Sequence, residues 1–192
     1  AWIAREMLLP SRELPIVTTL HGTDITLVGI QPSFHSITRF SILGSQGLTA
    51  VSEFLRKETV EGFGVPGERI KVIPNFIDTG RYRRGHEPSH RSSLALSSEK
   101  IVMHVSNFRP VKRVTDVVEV FARLLSSVPA RLVMVGDGPE RPRALERAKE
   151  LGVEDKVLFL GKHVSVEDLL SCCDLFLLPS EGESFGLAAL EA

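Results

Sequence analysis

Seven short apolar runs punctuate the chain: PIVTTL, GLTAVS, IKVIP, KIVMHVS, RLVMVG, KVLFLG and DLFLLPS. Each is too short for a globular helix, rich in Val, Ile and Leu, and almost free of polar interruption. That pattern predicts strands buried on both faces of a parallel sheet. Between the runs the apolar spacing turns helical. Ser52 stands as N-cap before a helix over 53–63, and a second helix is expected over 115–125. A third, over 140–151, stops at Gly152. A fourth, over 166–172, has Ser165 as its cap and Asp168 at its third position, a partial capping box. Strand alternating with helix is the α/β pattern, with right-handed crossovers and a ligand crevice at the carboxyl ends of the strands.

The pattern breaks between Pro74 and Lys100, where Gly, Ser, Pro and Arg accumulate without a sustained period. The expected organisation is therefore residues 1–76 as the later part of one doubly wound domain, 77–99 as a linker and 100–192 as most of a second. Arg81, Arg83, Arg84 and Arg91 read as cations of a solvated loop. The chain starts without Met and ends in a helical pattern, which reads as an internal piece of a longer protein. Composition adds little beyond exclusions. Hydrophobic residues at 43% and charged ones at 24% are ordinary for a globular protein, and a formal charge of −1 gives no reason to expect nucleic acid or an anionic membrane as partner, although local basic clusters could still bind a small anion. No apolar run approaches the ~20 residues of a membrane span. Cys172 and Cys173 are adjacent, which disfavours a disulfide and points to a reducing, cytoplasmic setting.

Three loops carry candidate chemistry, each placed after a predicted strand. HVSNFRPVKR puts Asn107, Arg109 and Lys112 before a helix, where Arg and Lys suit phosphate oxygens or else simply meet solvent. EGESFGLAALEA offers Ser184 as a helix cap and the backbone N–H groups of Phe185, Gly186 and Leu187 as an anion site. There Glu183 could accept from sugar hydroxyls and Glu191 from a ribose diol; the plainer alternative is one Glu favouring the helix dipole and one on the surface. TTLHGTDIT sets His21, Gly22, Thr23 and Asp24 at a strand end, with Arg39 on the next helical segment. A serine nucleophile elbow is absent, as are an Asp-x-Asp pair and any metal-ligand cluster, so no metal is expected. VGDGPE lacks the Walker Lys and reads as a strand-to-helix turn, with Pro139 opening the helix.

In this order, HVSNFRPVK, RLVMVGDGPE, VLFLG and the Glu–seven residues–Glu pattern ESFGLAALE resemble the retaining family 4 glycosyltransferases of the GT-B fold. TTLHGTDIT with VSNFRPVKRVTDVV is similar to the branch of that family that makes N-acetylglucosaminyl malate, the first step of bacillithiol synthesis. The resemblance implies two Rossmann-like domains, both incomplete here, and transfer of GlcNAc from UDP-GlcNAc to L-malate without cofactor or metal. By that resemblance Lys112 and a nearby Arg neutralise the diphosphate, and Glu183, Ser184 and the amides of Phe185, Gly186 and Leu187 meet sugar and phosphate. Glu191 holds the ribose, the backbone near Lys162 and His163 meets uracil, and His21 lies beside the reacting sugar. Thr23, Asp24 and Arg39 line the acceptor side. One departure stands out: where the family has Gly-Arg followed five residues later by Lys, this chain has Ser106, Asn107 and Lys112, with the Arg moved to Arg109. Another acceptor such as an inositol phosphate or glycan, an inactive UDP-sugar-binding module, and a sugar-nucleotide epimerase are the competing readings. Homo-oligomerisation is left open.

Overall fold

A computed structural model describes residues 2–83 and 91–192. The chain divides into two compact units, Ala1–Asn75 with Glu183–Phe185, and Phe76–Gly182 with Gly186–Ala192. The expected linker falls partly, at 84–90, outside the described residues, and Arg84 with it.

The first unit runs α1 (Trp2–Leu8), β1 (Val17–Leu20), a π-helical turn (Asp24–Val28), α2 (Pro32–Leu43), β2 (Gly47–Ala50), α3 (Glu53–Phe63) and β3 (Ile70–Val72). Its three strands form one parallel sheet in the order β1-β2-β3. Ser52 caps α3 as its sequence position predicts, its Oγ accepting from the Leu55 N–H at 3.2 Å. Leu20, Ile25, Leu48, Ala50, Leu55 and Phe63 make the core, and Phe185 packs against it. Burial on both faces does not extend to β1, where Val17 and Thr19 are exposed. β1 lies at the edge of its sheet, so only alternate side chains reach the core.

The second unit runs α4 (Arg91–Leu94), β4 (Lys100–Val105), α5 (Val114–Leu124), β5 (Ala130–Val135), α6 (Arg141–Glu150), β6 (Val157–Gly161), α7 (Glu167–Ser171), β7 (Leu175–Phe176) and α8 (Leu187–Glu191). Its parallel sheet has the order β6-β5-β4-β7. Successive strands step one way from β4 to β6, and β7 then returns to the other side of β4. That reversal is a topological switch point, the place where open α/β sheets take ligands. Strand parity fills both faces. Val102, Leu132 and Met134 meet Val114, Val117, Val118 and Phe121 of α5, which recur at helical spacing, together with Ala144 and Ala148 of α6. Ile101, Met103, Val133 and Val135 meet Leu94, Leu169, Leu170 and Cys172 on the opposite face.

Three local expectations are corrected. α6 begins at Arg141 with Pro142 in its first turn, so Pro139 belongs to the preceding turn and does not open the helix. α7 begins at Glu167 without a side-chain cap bond. The Ser165 hydroxyl is instead taken by the Glu167 carboxylate, which this bond and the Arg81 guanidinium hold down at a pKa of about 2. Arg91 is no solvated cation. It starts α4 and donates to the carbonyls of Cys172 (2.7 Å) and Glu99 (3.1 Å) and to the Asp174 carboxylate (2.9 Å).

Glu99, just ahead of β4, anchors the end of the sheet away from the strands' carboxyl ends. Its buried carboxylate accepts from the Leu96 N–H (3.0 Å), Lys156 Nζ (3.1 Å) and Arg131 Nε (3.3 Å). The Leu96 N–H and then Lys156 hold its pKa below the ordinary 4.5. A depressed carboxylate stabilises the fold at pH above the unfolded value and loses that contribution as pH falls through the folded one. Glu99→Gln is therefore expected to lower the thermal midpoint at neutral pH. The gap to the unaltered protein should close below pH 4.5, as melting curves across an acid series would show.

Candidate functional site

Among the described residues the sequence candidates fall into two sets, one in each unit. In the first unit the chain leaves β1 through His21, whose side chain is exposed, and turns at Gly22 with φ +144°. A Cβ at Gly22 would stand 2.6 Å from Ser184 Oγ, so only glycine lets Ser184 pack there. Asp24 Oδ1 accepts from the Gly22 N–H at 3.2 Å, and the N–H groups of Ile25 and Thr26 donate to the Gly22 carbonyl. The His21–Thr26 turn is thus closed on itself, with Thr23 exposed at its tip.

Ser184 was expected to cap the last helix and does not. α8 begins at Leu187 behind Gly186 (φ +81°), without a side-chain cap bond, while the Ser184 carbonyl accepts from Ser52 Oγ at 2.6 Å. One serine therefore both caps α3 and seats the Glu183–Phe185 segment, with Phe185 half-buried against the first core. Arg39 lies on α2. Its Nε donates to the Phe63 carbonyl at 2.8 Å, and His35 Nε2 meets the Gly62 carbonyl at 2.8 Å. Both side chains thus serve the carbonyl end of α3. A carboxylate could use only the two terminal amino groups of Arg39.

In the second unit Asn107, Lys162 and His163 line one cleft of about 330 Å³ at the carboxyl ends of β4, β5 and β6, with Ser106, Gly136, Asp137 and Val166. The neighbouring residues are held by backbone bonds. The Phe108 carbonyl accepts from the Glu140 N–H (3.0 Å) and the Val111 carbonyl from the Glu181 N–H (3.0 Å). Arg109 is exposed at the mouth of a single turn, Pro110–Lys112, which ends in the half-buried Lys112. VGDGPE makes a backbone joint here. A Cβ on Gly136 would stand 1.8 Å from the Ser106 carbonyl oxygen, and one on Gly138 would stand 2.0 Å from that of Asn107. Those glycines let the β5 loop lie flat on the β4 loop.

Glu191 ends α8, where Tyr82 OH donates to its Oε1 at 3.3 Å. Burial and then the Glu191 charge push the Tyr82 phenol up. With Arg81 on Glu167, this segment, predicted to be a solvated loop, grips both α7 and α8. Gly186 and Leu187 precede Glu191 in this unit. The buried His104 on β4 carries no sequence signal beyond a lone His in an apolar run, and its partner Ser106 stands out in the sequence only as a departure from the family's Gly. Among the described residues no group of three His, Cys, Asp or Glu is arranged to hold a metal, neither cysteine is in a disulfide, and no helix is long and apolar enough to cross a membrane.

This geometry has counterparts among known proteins. The family model for Glycosyltransferase Family 4 matches residues 1–81, and that for Glycosyl transferases group 1 matches residues 86–192. N-acetyl-alpha-D-glucosaminyl L-malate synthase of Bacillus anthracis is 48% identical over 193 residues, covering 100% of this chain and 50% of that protein. D-inositol 3-phosphate glycosyltransferase of Nocardia farcinica is 37% identical over 147 residues, covering 71% of this chain and 33% of that protein. The chain thus spans half or less of the length of these relatives. Among solved structures, HepE of Anabaena in complex with UDP-glucose superposes with a TM-score of 0.82 at 22% identity, covering 100% of this chain and 54% of that one. At that identity the likeness speaks for the fold alone, two parallel-sheet units of the GT-B class. The match across more than half the chain makes it a member of the glycosyl transferases group 1 family.

Proposed function

We propose that the full-length protein moves N-acetylglucosamine from UDP-N-acetylglucosamine to L-malate with retention at the anomeric carbon, the first step of bacillithiol synthesis. The observation that carries this reading is the 48% identity, along the whole chain, to the N-acetyl-alpha-D-glucosaminyl L-malate synthase of Bacillus anthracis. The cleft shared by Asn107, Lys162 and His163 supports it, because its 330 Å³ lies in the range of small-ligand pockets and it opens where α/β sheets bind nucleotides.

Breaking the sugar–diphosphate bond develops positive charge at the anomeric carbon and negative charge on the departing phosphate. Stabilising the latter needs preorganised positive groups. Lys112 supplies a point charge and Arg109 a planar fork, so the residues ask for no metal. His163 and Lys162 meet uracil. Glu191 keeps one carboxylate oxygen on Tyr82 and offers the other to the ribose diol. Glu183 accepts from the transferred sugar, beside which His21 stands, while Thr23, Asp24 and Arg39 serve the acceptor. The leaving phosphate takes the acceptor's proton, which removes the need for a protein base.

Incubating the full-length protein with UDP-N-acetylglucosamine should release UDP only when L-malate is present. Release that ignores malate but answers to an inositol phosphate would move the protein to the specificity of its 37% identical relative and defeat this reading.

A further inference from the structure

β4 points alternate side chains to opposite faces, and parity puts His104 on the face of Val102, where the neighbours are apolar. His104 is fully buried, so its ring nitrogens need partners. Nδ1 lies 2.8 Å from the Leu177 carbonyl and Nε2 lies 2.8 Å from Ser106 Oγ. A carbonyl can only accept, so Nδ1 carries the proton and donates. In the neutral ring Nε2 then accepts from the Ser106 hydroxyl, and Ser106 Oγ in turn accepts from the Phe108 N–H at 3.2 Å. The ladder between β4 and β7 ends with the Leu177 N–H on the Met103 carbonyl. The imidazole adds one rung beyond it, at the switch point, and passes the connection into the loop that follows β4.

That loop holds a strained residue. Phe108 has φ +42°, a left-handed conformation that bulky residues avoid, and its ring is fully buried, 6.0 Å from that of His104. The Ser106 hydroxyl secures the N–H of this residue. Asn107 lies immediately before it, and Arg109 and Lys112 lie immediately after.

We propose that His104 and Ser106 are positioning residues of the donor site, acting through the Phe108 turn to set where Asn107, Arg109 and Lys112 stand. This rests on the donor-site reading above. It predicts that breaking the His104–Ser106 link weakens nucleotide binding without unfolding the protein. The test is calorimetry of the full-length protein with UDP, alongside its thermal midpoint and both substrate KM values. Ser106→Ala should weaken UDP binding and raise the donor KM by about fivefold to tenfold, the scale of one lost hydrogen bond. The malate KM should hold, and the midpoint should shift by at most a few degrees. Ser106→Thr keeps a hydroxyl and should recover UDP binding to within about threefold. His104→Asn can still donate to the Leu177 carbonyl but cannot reach Ser106, and it should lose UDP affinity as Ser106→Ala does. Unchanged UDP affinity in either Ser106→Ala or His104→Asn would overturn the proposal, as would a loss that only follows the fall in midpoint. An unaltered protein that fails to bind UDP would instead remove the donor-site reading, and this inference with it.

Discussion

Alanine at Lys112 in the full-length protein is expected to lower kcat by roughly two to three orders of magnitude, the usual cost of removing one preorganised group from a developing negative charge. The size follows from position. Lys112 closes the single turn Pro110–Lys112, whose Val111 carbonyl is tied to the Glu181 N–H, so the loop bearing the ammonium is anchored at its far side. A preorganised charge costs little reorganisation as the phosphate departs. Arginine at 112 keeps the charge but changes its shape and reach, so it should recover only part of the rate. Steady-state turnover at saturating UDP-N-acetylglucosamine and malate measures this, with circular dichroism to show an intact fold. Near-normal turnover in Lys112→Ala would end the diphosphate role.

The second large effect is expected at Gly136, which carries no chemistry. A Cβ there would lie 1.8 Å from the Ser106 carbonyl oxygen, on a residue with φ +123°. A backbone carbonyl cannot swing aside as a side-chain tip would, so Gly136→Ala must push the β4 loop away from the β5 loop. Overpacking and backbone strain together should cost about 2–5 kcal/mol of stability. The displaced residues, Ser106 and Asn107, belong to the cleft, so UDP affinity should fall as well. Denaturant unfolding and calorimetry would report the two losses separately. A Gly136→Ala protein as stable as the unaltered one would show that this contact is not the constraint described here.

The helix caps separate what a local stretch of sequence fixes from what packing decides. Ser52 was legible because its bond to the Leu55 N–H spans three residues and depends on nothing outside the turn. Ser165 and Ser184 have the same residue type in the same sequence setting and cap nothing. A carboxylate two residues on captures Ser165, while Gly22 and Ser52 hold Ser184 from more than a hundred residues away. Local propensity proposes a cap, and packing decides whether it is used. The same holds for Arg91. Nothing near it in sequence reveals the carbonyls of Glu99 and Cys172 or the carboxylate of Asp174 that it serves. The Gly136–Gly138 loop could be excluded as a Walker loop by its residues alone, yet its task of admitting a neighbouring backbone could not be read there.

What the sequence determined alone was the α/β class, the places of all seven strands and the loops that follow them. An apolar run marks a strand wherever the fold puts it, but not whether that strand is central: β2, β4 and β5 are, while β1, with the same kind of run, lies at an edge with Val17 and Thr19 exposed. Tertiary structure decided the pairings. The two bonds of His104 reach one partner 2 residues away and another 73 residues away, and the latter exists only because β7 returns beside β4. A hydrogen bond is a property of two groups and the path between them, and the order of strands, which sets that path, is absent from any local stretch of the chain.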